Sequence, residues 1–248
     1  MLTDPHPVRE ALRARRRPLH RLWLDPGPES DPLRALAEAS GVPVSTVRPG
    51  RDGDAQEAGP RLEAGPLPEL TVEALVADTA ERPGTLVALD GVEDPQNLGA
   101  IARVAEAAGA AGLLLTQRRA PPLSPAVSRA SAGAIEWLPV ARVPNLRRAI
   151  AFLKMEGFWA LGADPEGTDS IDDASGRWRE GRHVLVLGAE GRGIRPGILQ
   201  ELDHRVRIPM VGRIASLNVA TAAAVLLFEL GRPGRVGSQS QLRRECAD

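Results

Sequence analysis

Between residues 85 and 230, short strand-like runs alternate with longer helical segments, and this alternation constrains the fold most strongly. The strand-like runs, most of them apolar, are 85–92, 112–116, 158–164, 183–191 and 204–210. The helical segments are 97–110, 145–157 and 219–230. Apolar strands separated by helices are typical of a parallel sheet covered on both faces. The sequence therefore predicts an α/β domain over residues 85–235.

A smaller α/β unit is predicted over residues 1–72. Its helices are expected at 8–18 and 32–41, and its strands at 19–24 and 42–47. Residues 49–71 are rich in glycine, proline and acidic residues, which predicts a loop. Two segments complete the expected organisation: a linker at 73–84 and a flexible tail at 236–248.

Bulk composition excludes several classes of protein. The net charge of −1 in 248 residues is unlike that of a polycation that coats nucleic acid. The single cysteine, Cys246, excludes a disulfide framework. The four histidines are scattered, so no metal site is predicted. No apolar run has membrane-spanning length, and a cytoplasmic location without membrane contact is expected.

The first loop with candidate functional residues opens the helix at 97–110. Asn97 stands where a helix N-cap is expected. An apolar stripe follows at helical spacing: Leu98, Ile101, Ala102, Ala105 and Ala108. Arg103 projects nearly opposite this stripe and should face solvent, a cleft or a partner.

The second loop follows the predicted strand 183–191 and is rich in glycine. Gly188, Gly191 and Gly193 would let a ligand approach the backbone closely, with Glu190 beside them. The loop is neither a P-loop nor a GxGxxG fingerprint. His183, at the head of the strand, is interpreted as a surface or packing residue.

The third loop precedes the alanine-rich helix near the C-terminus. Ser216 and Asn218 flank Leu217 there. Taken alone, these polar residues could simply cap the helix.

Together, the three loops resemble the signature motifs of the SpoU–TrmH family of RNA ribose 2′-O-methyltransferases, within the SPOUT superfamily. The first family motif has an asparagine followed six residues later by an arginine, as Asn97 and Arg103 are here. The second reads Gly-x-Glu-Gly, as residues 188–191 do. The third reads Ile-Pro-Met, a short turn and Ser-Leu-Asn-Val, as 208–210 and 216–219 do. The resemblance covers about residues 85–235.

This resemblance implies a deep trefoil knot, in which the C-terminal segment threads through a loop of the α/β domain. It implies S-adenosyl-L-methionine as cofactor, held in the knot largely by backbone groups, and a homodimer that shares the pocket. No metal is needed, because the cofactor's own positive charge supplies electrophilicity. The cofactor-binding positions carried over are Leu187, Gly188, Ile208, Met210 and Leu217.

The implied reaction needs a ribose 2′-hydroxyl to attack the sulfonium methyl group. This hydroxyl is a poor nucleophile until its proton is removed or its developing charge is stabilised. A guanidinium almost never deprotonates in proteins, so Arg103 is expected to bind the RNA phosphate and the developing oxyanion. The residues expected to orient Arg103 and the ribose are Asn97, Glu190, Ser216 and Asn218.

The N-terminal unit resembles the L30e-like RNA-binding domain that many rRNA-specific members carry. Residues 1–24 contain six arginines against Asp4 and Glu10, a stripe that could neutralise phosphates. The RNA-binding candidates are Arg9, Arg13, Arg16 and Arg17. The His-Gln-Gly type segment usual before the linker is missing, and residues 59–70 stand in its place, which leaves the RNA target open.

The predicted function is methylation of a ribose in 23S rRNA, with guanosine favoured. A tRNA ribose 2′-O-methyltransferase is the nearest enzymatic alternative, disfavoured by the N-terminal unit. A non-catalytic RNA-binding factor on the same fold is a second alternative, against which the intact motif residues argue. A nucleotide-dependent enzyme on an ordinary doubly wound sheet is disfavoured, because the GxGxxG fingerprint and its acidic ribose partner are absent.

Overall fold

The computed structural model describes residues 1–46, 59–79, 84–172, 181–214 and 216–231. Within these ranges, the chain forms a three-stranded sheet near its N-terminus and a seven-stranded sheet after it. The predicted C-terminal tail and the first part of the predicted loop, 49–58, lie outside the described residues.

The small sheet belongs to the N-terminal unit. Its elements are α1 (Pro5–Ala14), β1 (Leu19–Leu24), α2 (Asp31–Ala39), β2 (Val44–Thr46) and β3 (Arg61–Ala64). Strand β1 is central, parallel to β2 and antiparallel to β3. The α/β pattern predicted for this unit is confirmed. Strand β3 is a correction to the predicted loop, because Leu62 is fully buried and pairs with Leu22.

The segment after β3 packs against the larger sheet instead of hanging free. The backbone N–H of Leu70 donates to the carbonyl of Val140 at 2.8 Å. Helix α3 (Val72–Asp78) follows, and Thr71 caps its first turn. Leu75 is fully buried against the sheet. The described part of the predicted linker 73–84 is therefore mostly an ordered helix, because it carries an apolar residue that the sheet buries.

The large sheet and its helices occupy the rest of the described chain. The first half contains β4 (Leu86–Asp90), α4 (Pro95–Ala107), β5 (Gly112–Thr116), α5 (Pro125–Ala130), the short 3₁₀ helix Ala134–Glu136, β6 (Val140–Val143) and α6 (Leu146–Met155). The second half contains β7 (Phe158–Ala163), β8 (Asp169–Ser170), β9 (Arg182–Gly188), α7 (Pro196–Leu199), β10 (His204–Arg207) and α8 (Val219–Leu230).

The predicted parallel sheet covered on both faces is confirmed. The strand order is β6-β5-β4-β9-β7-β10-β8, and every adjacent pair is parallel. Alternate side chains of the buried strands pack on opposite faces. One face packs against α4, α5 and α8, and the other against α3, α6 and α7. Besides β3 and α3, the elements that sequence reasoning missed are short: α5, α7, β6 and β8.

The strand order places the candidate loops at the carboxyl ends of the central strands. Strand β4 continues to β5 and β6 on one side, while β9 and β7 lie on the other. Ligands of open α/β sheets bind outside the carboxyl ends of strands at such a reversal. Helix α8 returns to this region and packs against α4 and β9. Threading of the C-terminal segment through a loop stays a prediction.

None of the helices in the described part of the chain has both the length and the apolar character that crossing a membrane requires.

Candidate functional site

The side chain of Asn218 joins the three predicted loops. Its Nδ2 donates to Asn97 Oδ1 at 3.2 Å and to Glu190 Oε1 at 2.5 Å. An amide nitrogen carries two hydrogens, so both bonds can be made at once. Its Oδ1 accepts from the backbone N–H of Ala220 at 2.9 Å, which caps α8. One residue therefore fixes the start of α8 and holds the other two loops beside it.

Asn97 lies in the first turn of α4 and is not its N-cap. The cap is Asp94, whose Oδ1 accepts from the N–H of Gln96 at 2.9 Å. Pro95 follows at the first helical position, where its missing N–H costs nothing. The predicted cap at Asn97 is wrong for this reason. Because Asp94 supplies the cap, the side-chain oxygen Oδ1 of Asn97 is available to accept from Asn218.

A cavity of about 430 Å³ opens beside Asn97, Glu190 and Asn218. Its walls come from the carboxyl ends of β7, β9 and β10 and from the start of α8. All five predicted cofactor-binding residues line it: Leu187, Gly188, Ile208, Met210 and Leu217. Three of the predicted catalytic residues also line it: Glu190, Ser216 and Asn218.

Sequence reasoning missed a second part of the cavity wall. Ala163, Asp164 and Pro165 contribute at the end of β7, and Ala222 and Leu226 contribute from α8. The Asp164 carboxylate is held by Arg205 at 2.7 Å. The available signal was the end of the predicted strand 158–164, since parallel strands deliver their carboxyl ends to one edge. This pattern predicts which end of the sheet forms the cavity wall, but it does not predict which residues line the cavity.

The glycine loop after β9 is tightly folded. A Cβ on Gly188 would overlap the backbone of Gly193, so this position accepts no larger residue without a shift. Gly191 and Gly193 have φ of +75° and +64°, in the left-handed region that favours glycine. The N–H of Gly193 donates to the carbonyl of Ala189 at 2.9 Å. The sequence predicts that the glycines let a ligand approach the backbone closely. In the structure, they allow two segments of the loop's own backbone to approach each other.

A buried carboxylate anchors the far end of this loop. Asp90, at the end of β4, is 1% exposed. Its Oδ2 accepts from the backbone N–H of Arg195 at 2.8 Å, and its Oδ1 accepts from Nε of the same residue at 2.7 Å. The loop that carries Glu190 is thus attached to the neighbouring strand.

Arg103 is exposed on α4, as its position opposite the buried stripe predicts. It is not among the residues that line the cavity. Within the described ranges, no side chain is paired with its guanidinium. As far as the described residues extend, its charge is therefore available to a partner.

The four arginines predicted to bind RNA occupy different environments. The side chains of Arg9 and Arg13 are 41% and 50% exposed, and both contact Glu10. Arg16 donates to the carbonyl of Leu138. Arg17 is a correction: its side chain is 6% exposed and paired with Glu136, so it cannot also reach an RNA phosphate. His183 is buried within β9, as the packing interpretation predicts.

Comparison with known proteins agrees with this arrangement. Residues 84–228 match the model of the SpoU rRNA Methylase family, and residues 5–51 match the RNA 2′-O ribose methyltransferase substrate-binding family. The 23S rRNA (guanosine-2′-O-)-methyltransferase RlmB of Pseudomonas putida is 35% identical over 241 residues, which cover 93% of this chain and 95% of that protein.

Two solved structures have similar folds. The SpoU methyltransferase AviRb from Streptomyces viridochromogenes, in complex with AdoMet, has a TM-score of 0.74 and 24% identity, and the match covers 93% of this chain and 88% of that one. The AdoMet-bound rRNA methyltransferase from Sinorhizobium meliloti has a TM-score of 0.71 and 28% identity over 92% and 85% of the two chains. Since the family model spans more than half of the chain and the RlmB match spans nearly all of it, the chain belongs to the SpoU rRNA Methylase family of RNA 2′-O-ribose methyltransferases.

Proposed function

We propose that this protein uses S-adenosyl-L-methionine to methylate the ribose 2′-hydroxyl of a guanosine in 23S rRNA. The observation that carries the proposal is the contact of Asn218 with Asn97 and Glu190 beside the cavity. Residues 1–72 would bind the RNA and residues 85–235 would carry the reaction, in the cytoplasm. The match to RlmB over 93% of the chain favours 23S rRNA and guanosine.

The cavity suits this cofactor in size and chemistry. Its volume of about 430 Å³ lies within the usual range for small-molecule sites, roughly 300–1,000 Å³. Leu187, Ile208 and Leu217 supply apolar surface for a flat base. Asp164 and Ser216 supply a carboxylate and a hydroxyl for polar groups. When bound, S-adenosyl-L-methionine supplies an electrophilic methyl group on a positively charged sulfur.

The exposed Arg103 guanidinium would bind an RNA phosphate and stabilise charge that develops on the attacking 2′-oxygen. Fixed positive charge at a developing oxyanion lowers a reaction barrier, and a guanidinium keeps that charge at neutral pH. Asn97, Glu190 and Asn218 would orient the ribose, because their mutual bonds fix their positions before RNA arrives. Ser216 lines the cavity and would contact the same nucleotide.

We also propose that the protein is a homodimer joined through α8. Thr221, Val225 and Phe228 lie on one face of this helix, and Val225 and Phe228 are 40% and 53% exposed. A different face, with Ala222 and Leu226, forms part of the cavity wall. Exposed apolar groups on one helix face are typical of a protein interface. A second copy there would support the helix that encloses the cofactor.

The test combines cofactor binding with methyl mapping. Purified protein is incubated with S-adenosyl-L-methionine and transcribed 23S rRNA fragments or tRNA, and 2′-O-methylation is mapped by resistance to alkaline hydrolysis. We expect one modified guanosine in 23S rRNA. Arg103→Ala should abolish transfer while calorimetric cofactor affinity stays within about tenfold, or about 1.4 kcal/mol.

The matched control is Arg148→Ala, which removes an exposed arginine from α6. This control should retain turnover. Turnover retained in Arg103→Ala would refute the role of Arg103. Failure of the parent chain to bind the cofactor would favour a non-catalytic RNA-binding factor, and methylation of tRNA alone would refute the rRNA assignment.

A further inference from the structure

A buried charged cluster lies between the N-terminal unit and the large-sheet domain, away from the cavity. Arg17 follows α1, and Glu136 lies in the short 3₁₀ helix before β6. Nε of Arg17 donates to Glu136 Oε2 at 2.8 Å, and a second nitrogen contacts Oε1. The Glu136 side chain is 1% exposed. This is a two-point ion pair closed to water.

The remaining hydrogen-bonding groups of this cluster are also satisfied. Arg17 donates to the Gly65 carbonyl at 3.2 Å and to Ser128 Oγ at 3.2 Å. The Ser128 hydroxyl donates to Glu136 Oε1 at 3.0 Å. A planar guanidinium bound on both sides of its fork fixes direction as well as distance. The cluster therefore specifies one orientation of the N-terminal unit.

Further contacts surround the cluster. Arg129 donates to Asp4 Oδ2 at 2.6 Å, and the Trp137 indole donates to Glu10 Oε2 at 3.1 Å. Partial burial of Glu10 opposes its ionisation. Hydrogen bonds from Arg9 and Trp137 and the nearby arginine charges outweigh that effect and lower the pKa of Glu10. A Cβ on Gly133 would lie only 2.7 Å from the Cβ of Glu10, so the two surfaces fit closely.

The surface on which the N-terminal unit docks connects directly to the candidate site. Helix α5 ends at Ala130, beside Arg129 and the cluster residue Ser128. Helix α4 packs against Ala130 through Gly99, where a Cβ would come within 2.9 Å of the Ala130 carbonyl carbon. Gly99 lies two residues from Asn97. The contacts thus run without a gap from the N-terminal unit to a residue of the site.

We propose that Arg17 and Glu136 are positioning residues that hold the RNA-binding unit at a fixed distance and orientation from the reacting groups. The inference rests on the proposed function. We call this ion pair and its hydrogen bonds the lock. With the lock in place, RNA bound to the N-terminal unit presents one nucleotide to the cavity. Without the lock, the same RNA contacts would deliver neighbouring nucleotides as well.

The first experiment measures the lock without RNA or cofactor. In a Cys246→Ser background, spin labels are placed at Glu29→Cys and Arg148→Cys, which are exposed positions in the two parts of the chain. Unlabelled protein is added in excess so that pulsed electron resonance reports distances within one chain. We expect one narrow distance distribution, which Glu136→Gln or Arg17→Lys broadens. Arg34→Met, on α2, is the control and should leave the distribution narrow.

The second experiment measures what the lock does for the reaction. For an rRNA fragment, Glu136→Gln should raise KM by about tenfold, because a loosely held second module has a lower effective concentration. It should leave cofactor affinity unchanged and spread methylation over adjacent nucleotides. Arg17→Lys, which keeps the charge without the fork, should show a smaller KM increase.

The outcomes separate the lock from the proposed function. A broad distribution in the parent protein, or a narrow one in both cluster variants, would overturn the lock. So would unchanged KM and unchanged nucleotide choice in variants with broadened distributions. If no protein methylates RNA while the parent distribution is narrow and the cluster variants broaden it, the proposed function fails and the structural lock stands.

Discussion

Asn218 performs two separable tasks with the two ends of one amide. Its oxygen caps α8, and its nitrogen holds Asn97 and Glu190. A carboxylate could perform the first task but not the second, because it has no hydrogens to donate. Residue chemistry therefore allows the structural and functional contributions to be measured apart.

Asn218→Asp should retain the cap of α8 and lose methyl transfer. The new carboxylate would still accept from the N–H of Ala220, but it would face Glu190 and repel it. Asn218→Ala should lose both, with a stability decrease of about 1 kcal/mol from the missing cap. Urea denaturation and a methylation assay check the two variants together. Equal destabilisation of both variants, or turnover in Asn218→Asp, would contradict the separation.

At the scale of elements, the contact of α4 with α5 is a close approach that bears on the site. Gly99 and Ala130 meet with no space for a methyl group. Because Gly99 is one turn into α4, any displacement of the helix there also moves Asn97. A small residue at this position thus has a packing explanation, in addition to its place in the first loop.

Gly99→Ala should destabilise the protein by roughly 1–3 kcal/mol, as overpacking of a well-filled interior does. The gain in helix propensity is smaller than this cost. Gly197→Ala is the matched control, since Gly197 is also helical and a Cβ there meets nothing within 4 Å. Denaturant midpoints give the comparison. A Gly99→Ala protein as stable as the control would show that the helices can separate without cost.

At the scale of the whole molecule, helix α8 has an exposed apolar surface, and the same helix forms part of the cavity wall. Val225 and Phe228 point outward while Leu226 points to the cavity. Association through this surface would couple cofactor binding to dimerisation, because both act on α8. Dimer formation and knot threading both stay predictions for this chain.

Val225→Asp combined with Phe228→Asp should convert the protein to a monomer, because two buried unpaired carboxylates are costly at an interface. We expect cofactor affinity to fall by about tenfold or more as α8 loses its support. Met155→Asp, at an exposed apolar position on α6, is the control. Sedimentation and calorimetry measure both quantities. A monomeric parent protein, or a double variant that remains dimeric, would contradict the proposal.

The sequence by itself determined the alternation of strands and helices, the parallel sheet, the family and eight candidate site residues that line the cavity. These features depend on local periodicity and on short motifs, and both can be recognised from the order of neighbouring residues. The exposed position of Arg103 was also predictable, since helical spacing places it opposite its own helix's buried stripe.

Only the tertiary structure decided which side chains meet. Asn218 lies 121 residues from Asn97, and Arg17 lies 119 residues from Glu136. A local pattern identifies a basic stripe but not the surface that covers part of it, so the sequence alone predicts an RNA contact for Arg17. The structure places it in a buried ion pair, because the partner carboxylate comes from a different domain. Pairing of this kind depends on packing between distant segments, which no local spacing encodes.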